Sequence, residues 1–275
     1  MITLDAGKIV ALKNSAALGS PPISRRNLLT RAGAVGGALI AGLPLPEAGI
    51  AAPAEAARET KRKLKVVVTG GHPGDPECGC GGTVARYASL GHEVVLFYLN
   101  EGEPPGTPPE KRGVRVEEAK RACEILQARA LYAGQIDAQA VVDSAHYQTF
   151  HQMLEAEQPA VVFTHWPIDN HRDHRAMSLL AYDAWLRMGK KFALYYYEVS
   201  NGEDTVQFSP THYVDISETE SRKRLACHAH ASQNPGKFYA LQEQITRLRG
   251  IESGHRYAEA YIRLVQSPDF SLPLG

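Results

Sequence analysis

The side chains best able to do chemistry sit in two short runs far apart in the chain, His72-Pro73-Gly74-Asp75-Pro76-Glu77 and His171-Arg172-Asp173-His174. In the first, Pro73 fixes one backbone angle and stiffens the turn, so His72 and Asp75 can aim at one point. In the second, His171 and His174 stand three apart at the start of a helical pattern, which puts both imidazoles on one face. Imidazole nitrogens and carboxylate oxygens are ligands that zinc accepts. His72, Asp75 and His174 make a two-histidine, one-carboxylate set with a position left for water, as in catalytic rather than structural zinc. Zinc, or another divalent metal, held there would lower the pKa of a water towards ~7 and polarise a carbonyl oxygen. Asp173 is then expected to stand behind the ligands, fixing a histidine tautomer through the other ring nitrogen. Eleven histidines make some close pairs inevitable, and a His-x-x-His at a helix start is often only a polar surface. These two runs differ in what precedes them.

Each follows a β-branched stretch that reads as a buried strand, Val66-Val67-Val68 before the first and Val161-Val162-Phe163 before the second. Open α/β sheets place their chemistry at the carboxyl ends of such strands. Further strands are expected over Glu93 to Leu99, Ala130 to Tyr132 and Phe192 to Tyr197, with a short extended piece at Tyr213 to Ile216. Helices are expected over Val84 to Leu90, Glu117 to Ala128, His146 to Glu157, Arg175 to Met188, Glu218 to His230 and Phe238 to Leu248. The pattern of Tyr257 to Val265 fits helix and strand equally. Strands alternating with helices argue for an α/β fold in one domain, a Rossmann-like, mostly parallel sheet with helices on both faces. Gly79, Gly81 and Gly82 invite a phosphate-binding reading, but their spacing is not the dinucleotide pattern, and close helix–strand packing explains them better. Trp166 and Tyr195 to Tyr197 have the chemistry to stack on a sugar ring, although such aromatics more often fill a core.

The first 56 residues differ in kind from the rest. They hold no histidine, and Arg25-Arg26 precedes a weakly apolar, glycine-diluted stretch and the small-residue sites Ala52-Pro53-Ala54 and Ala54-Glu55-Ala56. The order of these features resembles a twin-arginine export signal, so residues 1–56 are expected to be a leader, 57–275 the functional domain, and the destination periplasmic or extracellular. The apolar stretch is short for a membrane span, which needs about 20 apolar residues, and no span is expected in the mature chain. Removing the five Lys/Arg and three Asp/Glu of the leader from thirty of each leaves 25 against 27, a net charge of −2. With no long basic run, neither nucleic acid nor an anionic membrane surface is indicated as a partner. Four scattered cysteines are too few for a disulfide scaffold.

Strand, Gly-His-Pro-x-Asp-x-Glu, Gly-Cys-Gly-Gly-Thr and a distant His-x-Asp-His together resemble the PIG-L/LmbE-like family of zinc-dependent N-acetylglucosamine de-N-acetylases. Leu99 to Glu103, His230-Ala231-Ser232-Gln233 and Tyr257 to Tyr261 extend the likeness through most of the mature chain. The resemblance implies a Rossmann-like hydrolase removing an N-acyl group, typically acetyl, from an amino sugar or related conjugate, with an activated water as nucleophile. Position by position it implies zinc ligands at His72, Asp75 and His174. It also implies His171, paired with Asp173, as the group that stabilises the oxyanion or protonates the leaving amine. The chain departs from the family at Gly74, where the usual His-Pro-Asp-Asp motif has its general base, a group typically worth ~10²–10⁴-fold in rate. Asp169, Glu77 and Glu103 are the candidate substitutes, with Asp169 favoured because its loop must pass the site. The alternative is a metal-containing protein that binds a sugar conjugate without turning it over.

Overall fold

Hydrophobic residues in an unbroken run suit a strand covered on both faces, and Val66, Val67 and Val68 meet that condition inside β1 (Lys65–Gly70). The computed structural model describes residues 63–200 and 202–273, so the expected leader lies outside the described residues. Six further strands follow, namely β2 (Glu93–Asn100), β3 (Arg129–Gln135), β4 (Val161–His165), β5 (Ala193–Tyr197), β6 (His212–Asp215) and β7 (Ala258–Arg263). They form one sheet in the order β3-β2-β1-β4-β5-β7-β6. The first five are mutually parallel, and β7 runs antiparallel to both β5 and β6. The helices are α1 (Asp75–Ser89), α2 (Val114–Leu126), α3 (Ser144–Glu157), α4 (Arg172–Arg187), α5 (Glu220–Ala229) and α6 (Pro235–Ser253). None of the described helices is long and apolar enough to cross a membrane.

Period-two alternation of side chains divides the core between the two faces. Val66 and Val68 join Val84, Leu126 and Ala226 under α1, α2 and α5, whereas Val67 joins Phe150, Leu154 and Trp185 under α3 and α4. Each valine, leucine or phenylalanine among them, so enclosed, contributes roughly 1.5–3 kcal/mol. The α/β class and the mostly parallel sheet stand as expected.

Several elements differ from the sequence reading in their bounds, β3 and α6 being longer than expected, and α1 differs most. α1 begins at Asp75 rather than at Val84, with Pro76 in its first turn, where a missing N–H costs nothing. Gly79, Gly81 and Gly82, ahead of the expected start, are helical and lie against neighbours: a Cβ on Gly82 would come 2.6 Å from Ile216, and one on Gly81 would come 3.1 Å from Lys223. Close packing accounts for them, at a helix-propensity cost of about 0.5–1 kcal/mol each. The ambiguous segment after Tyr257 is the antiparallel strand β7. Its Glu259, buried, accepts from the Gly82 and Thr83 amides at 2.9 and 2.8 Å and from Lys223 Nζ at 2.7 Å, tying α1 and α5 to the sheet.

Candidate functional site

The chain runs outward from β1 to β2 and β3 on one side and to β4 and β5 on the other, so strand order reverses between β1 and β4. Crevices at that reversal are where open α/β sheets hold ligands. His72 follows the carboxyl end of β1, Asp75 opens α1, and His171 is the N-cap of α4, just beyond β4. The two sequence-distant runs therefore meet at one edge.

Asp75 Oδ2 lies 3.2 Å from His72 Nδ1 and 3.2 Å from His174 Nε2. Two ligands bound at 2.0–2.1 Å to one tetrahedral ion stand about 3.3 Å apart, so the spacing fits a divalent metal. The far nitrogens are held as those of metal-ligating histidines are. His72 Nε2 meets Asp173 Oδ2 at 3.2 Å and Asp137 Oδ1 at 3.0 Å, and His174 Nδ1 meets Asp169 Oδ1 at 3.0 Å. Asp173 also accepts from the Ala138 amide at 2.8 Å and Asn100 Nδ2 at 3.2 Å, and its side chain is fully enclosed.

Three groups of donors lie mutually within 4.8 Å among the described residues, namely His171 with His72 and His174, His165 with Asp75 and His174, and Asp137 and Asp173 with His72, so the expected ligands are divided among them rather than forming one such group. His165 is poorly suited as a ligand. Its Nε2 accepts from the Gly71 amide at 3.0 Å, and its ring stacks on His174 with centroids 4.0 Å apart. Burial, together with charge on His174, pushes it down to about 4, so it stands as a neutral wall. Burial opposes charge on His174 as well, but the Asp75 and Asp169 carboxylates outweigh it and hold that imidazole up at about 9. Conversely, Asp75 resists the effect of burial because His174 and His72 keep it well below the usual carboxylate range.

His171 faces the same crevice, its ring centroid 4.6 Å from that of His72 and 4.7 Å from that of His174. Its Nδ1 accepts from the Asp173 amide at 3.3 Å, which leaves the ring proton on Nε2. The expected pairing of Asp173 with His171 thus runs through the backbone, while the Asp173 carboxylate turns to His72. Asp169 is placed differently from the role given it in the sequence. Its carboxylate is fully enclosed and committed to His174, to the His171 amide at 2.8 Å and to Thr205 Oγ1 at 3.0 Å. That geometry orients His174 and leaves no oxygen facing a water in the crevice. Glu77 is buried under Tyr98 Oη, His230 Nε2 and the Gly74 amide, and Glu103 accepts from the Gly113 amide ahead of α2. Neither lines the site.

The crevice opens into a cavity of about 290 Å³, lined by His72, Asp75, His171 and His174 together with side chains the sequence did not single out. Asp137, Asp204 and Arg115 are among these, and His230, quoted only as part of a motif, is another. Arg115 donates to the Pro73 carbonyl at 2.7 Å and so braces the His72 turn. Asp137 had one available signal, its place just after the third strand; Asp204 had none. Trp166 and Tyr195 to Tyr197 do not line the cavity, and Tyr195 and Tyr197 are core residues. At Gly74 the backbone has φ +110°, a conformation that side chains with a Cβ rarely adopt.

Residues 67–185 match the PIG-L family, GlcNAc-PI de-N-acetylase. The chain is 29% identical over 222 residues to the diacetylchitobiose deacetylase of Thermococcus kodakarensis, covering 73% of this chain and 83% of that one. Among solved structures it resembles the conserved protein TT1542 from Thermus thermophilus, with TM-score 0.65, 27% identity, and 75% of this chain and 97% of that chain covered. It also resembles GalB, the 4-carboxy-2-hydroxymuconate hydratase of Pseudomonas putida, with TM-score 0.67, 21% identity, and 76% and 100% covered. The last likeness is one of fold alone.

Proposed function

We propose, from the match of residues 67–185 to the PIG-L family and the likeness to a diacetylchitobiose deacetylase, that this chain is a PIG-L family member and a metal-dependent hydrolase removing an N-acyl group, acetyl above all, from an amino sugar or related conjugate. The observation that carries the reading is the surroundings of Asp75: its Oδ2 stands 3.2 Å from both His72 Nδ1 and His174 Nε2, and carboxylates hold the far nitrogens of both histidines. A zinc ion there would supply a Lewis acid and lower the pKa of water. The remaining steps fall to the chain's own groups. The cavity admits the acylamino end of a substrate beside His171. Because the Asp173 amide occupies Nδ1, His171 presents Nε2–H to the carbonyl oxygen as negative charge develops there. Asp173 and Asp137 keep His72 from turning, and Asp169 does the same for His174, so substrate binding costs little reorganisation.

The test is release of a primary amine from a panel of N-acetyl sugars, with diacetylchitobiose and N-acetylglucosamine among them. The expected result is turnover that disappears on chelation and returns with zinc. Ligand binding without turnover would favour a non-catalytic sugar-conjugate protein instead. Undiminished turnover by fully metal-stripped protein would overturn the metal's role.

A further inference from the structure

Water attacking an amide carbonyl must give up a proton, and a positioned group that takes it is typically worth ~10²–10⁴-fold in rate. The backbone at Gly74, the place of the general base in the motif this chain resembles, admits no side chain without strain, so a positioned acceptor would have to come from another element. Most of the cavity's basic groups are already committed. His72, Asp75 and His174 form the donor set, and His171 carries its ring proton on the nitrogen that faces the cavity. The imidazole of His230 donates through Nε2 to Glu77 at 2.9 Å, and its Nδ1 is enclosed by protein. Asp137 is tied to His72 at 3.0 Å, and that hydrogen bond above all keeps it below the usual carboxylate range.

One carboxylate remains. Asp204 is half-buried in the cavity wall, and its side chain has no hydrogen bond or ion pair among the described residues. The turn that carries it is rigidly placed. The Asp204 amide donates to the Ser200 carbonyl at 2.9 Å, and its own carbonyl accepts from the Asn170 amide at 2.8 Å, one residue before His171. The next residue, Thr205, bridges to Asp169 and donates to its carboxylate at 3.0 Å. The segment that aims His171 and His174 therefore also fixes Asp204.

We infer that Asp204 is the general base of this site, taking the place of the carboxylate that Gly74 lacks; the inference rests on the proposed amide hydrolysis. One proton passes from water to an Asp204 oxygen as the water oxygen bonds to the carbonyl carbon and the carbonyl π pair moves to its oxygen. When the C–N bond breaks, Asp204 passes that proton to the nitrogen, which leaves as the free amine; the carbonyl re-forms as acetic acid, whose remaining proton goes to solvent to give acetate, and Asp204 is regenerated. Burial, reinforced by the Asp169 and Asp75 charges and opposed by His174 and His171, raises the Asp204 carboxyl above its ordinary value, the direction that suits a proton acceptor working near neutrality.

The test compares Asp204→Asn and Asp204→Ala with wild type in the zinc-loaded protein, on whichever N-acetyl sugar the wild type turns over. Asp204→Asn is expected to lose about 10²–10⁴-fold in kcat with zinc content, melting temperature and KM retained. Added formate, small enough to enter the vacated space, should restore part of the rate in Asp204→Ala and leave Asp204→Asn unchanged. A kcat in Asp204→Asn within about threefold of wild type would overturn the assignment. So would loss of zinc, or a raised KM at unchanged kcat, since either makes Asp204 structural or substrate-holding. If the wild type turns over no N-acetyl sugar, the hydrolase reading and this inference fall together; turnover by wild type with an unaffected variant removes only the inference.

Discussion

His174 is pulled in two directions by its surroundings. Asp75 and Asp169 hold its imidazole up at about 9, and His72 is raised well above its ordinary value, its burial outweighed by Asp75 and the other carboxylates. A metal ligand must be deprotonated, so zinc binding as proposed would expel protons from both rings. The same shift has a consequence for stability. A group whose folded pKa lies above its unfolded value of about 6.5 stabilises the fold fully below that pH, and the contribution is lost as pH rises through the folded value. Chelator-treated protein should therefore melt several degrees lower at pH 9 than at pH 6, and His174→Gln should flatten that slope. An identical slope in the variant would remove His174 as the cause. These side chains were legible in the sequence because each follows a strand. Their charge states were not, since Asp137 and Asp173 reach His72 only through the folded chain.

Between β1 and α1, the turn from Gly71 to Gly74 has to reverse the chain while aiming two ligands, and Gly74 makes this possible at φ +110°. Its amide donates to Glu77 Oε2 at 3.1 Å, and Glu77 in turn accepts from Tyr98 and His230, so the turn is anchored to β2 and to the end of α5. Any residue with a Cβ there carries backbone strain of about 1–3 kcal/mol. Gly74→Ala should lower the melting temperature by roughly 2–4 °C for each kcal/mol. Restoring a carboxylate with Gly74→Asp should bring the same strain and no gain in rate. A Gly74→Ala protein melting with wild type would show that the turn does not need glycine. The elements themselves were largely readable from alternation of apolar and polar residues. The start of α1 was not, because Gly79, Gly81 and Gly82 look locally like a loop. What makes them helical is contact with Tyr197, Lys223 and Ile216, none of them near in sequence. Direction was equally hidden for β7, which is set by pairing with β5 and β6.

At the scale of the whole molecule, one topological fact organises the site. The sheet reverses its order between β1 and β4, and the crevice this leaves is where His72, Asp75, His171 and His174 meet. The parallel core could be foreseen from alternating strands and helices, whereas Asp204 sits on a connection after β5 whose path only the fold defines. The proposed ligands come from two distant stretches of chain and exist as a set only after folding, so on the proposed function metal loading would follow folding. That order bears on residues 1–56. We propose that Arg25-Arg26 and the apolar stretch after it address the protein to the twin-arginine route, which carries folded proteins, so that metal can be bound before export. Replacing both arginines by lysine should hold the full-length precursor in the cytoplasm, still loaded with zinc. Wild-type protein should be recovered outside the cytoplasm, cut after Ala54 or Ala56. Cell fractionation with N-terminal sequencing and metal analysis of each fraction reads all three quantities. Equal export of the lysine variant would remove the arginine pair from the account, and a zinc-free cytoplasmic precursor would mean that the metal is acquired only after transport.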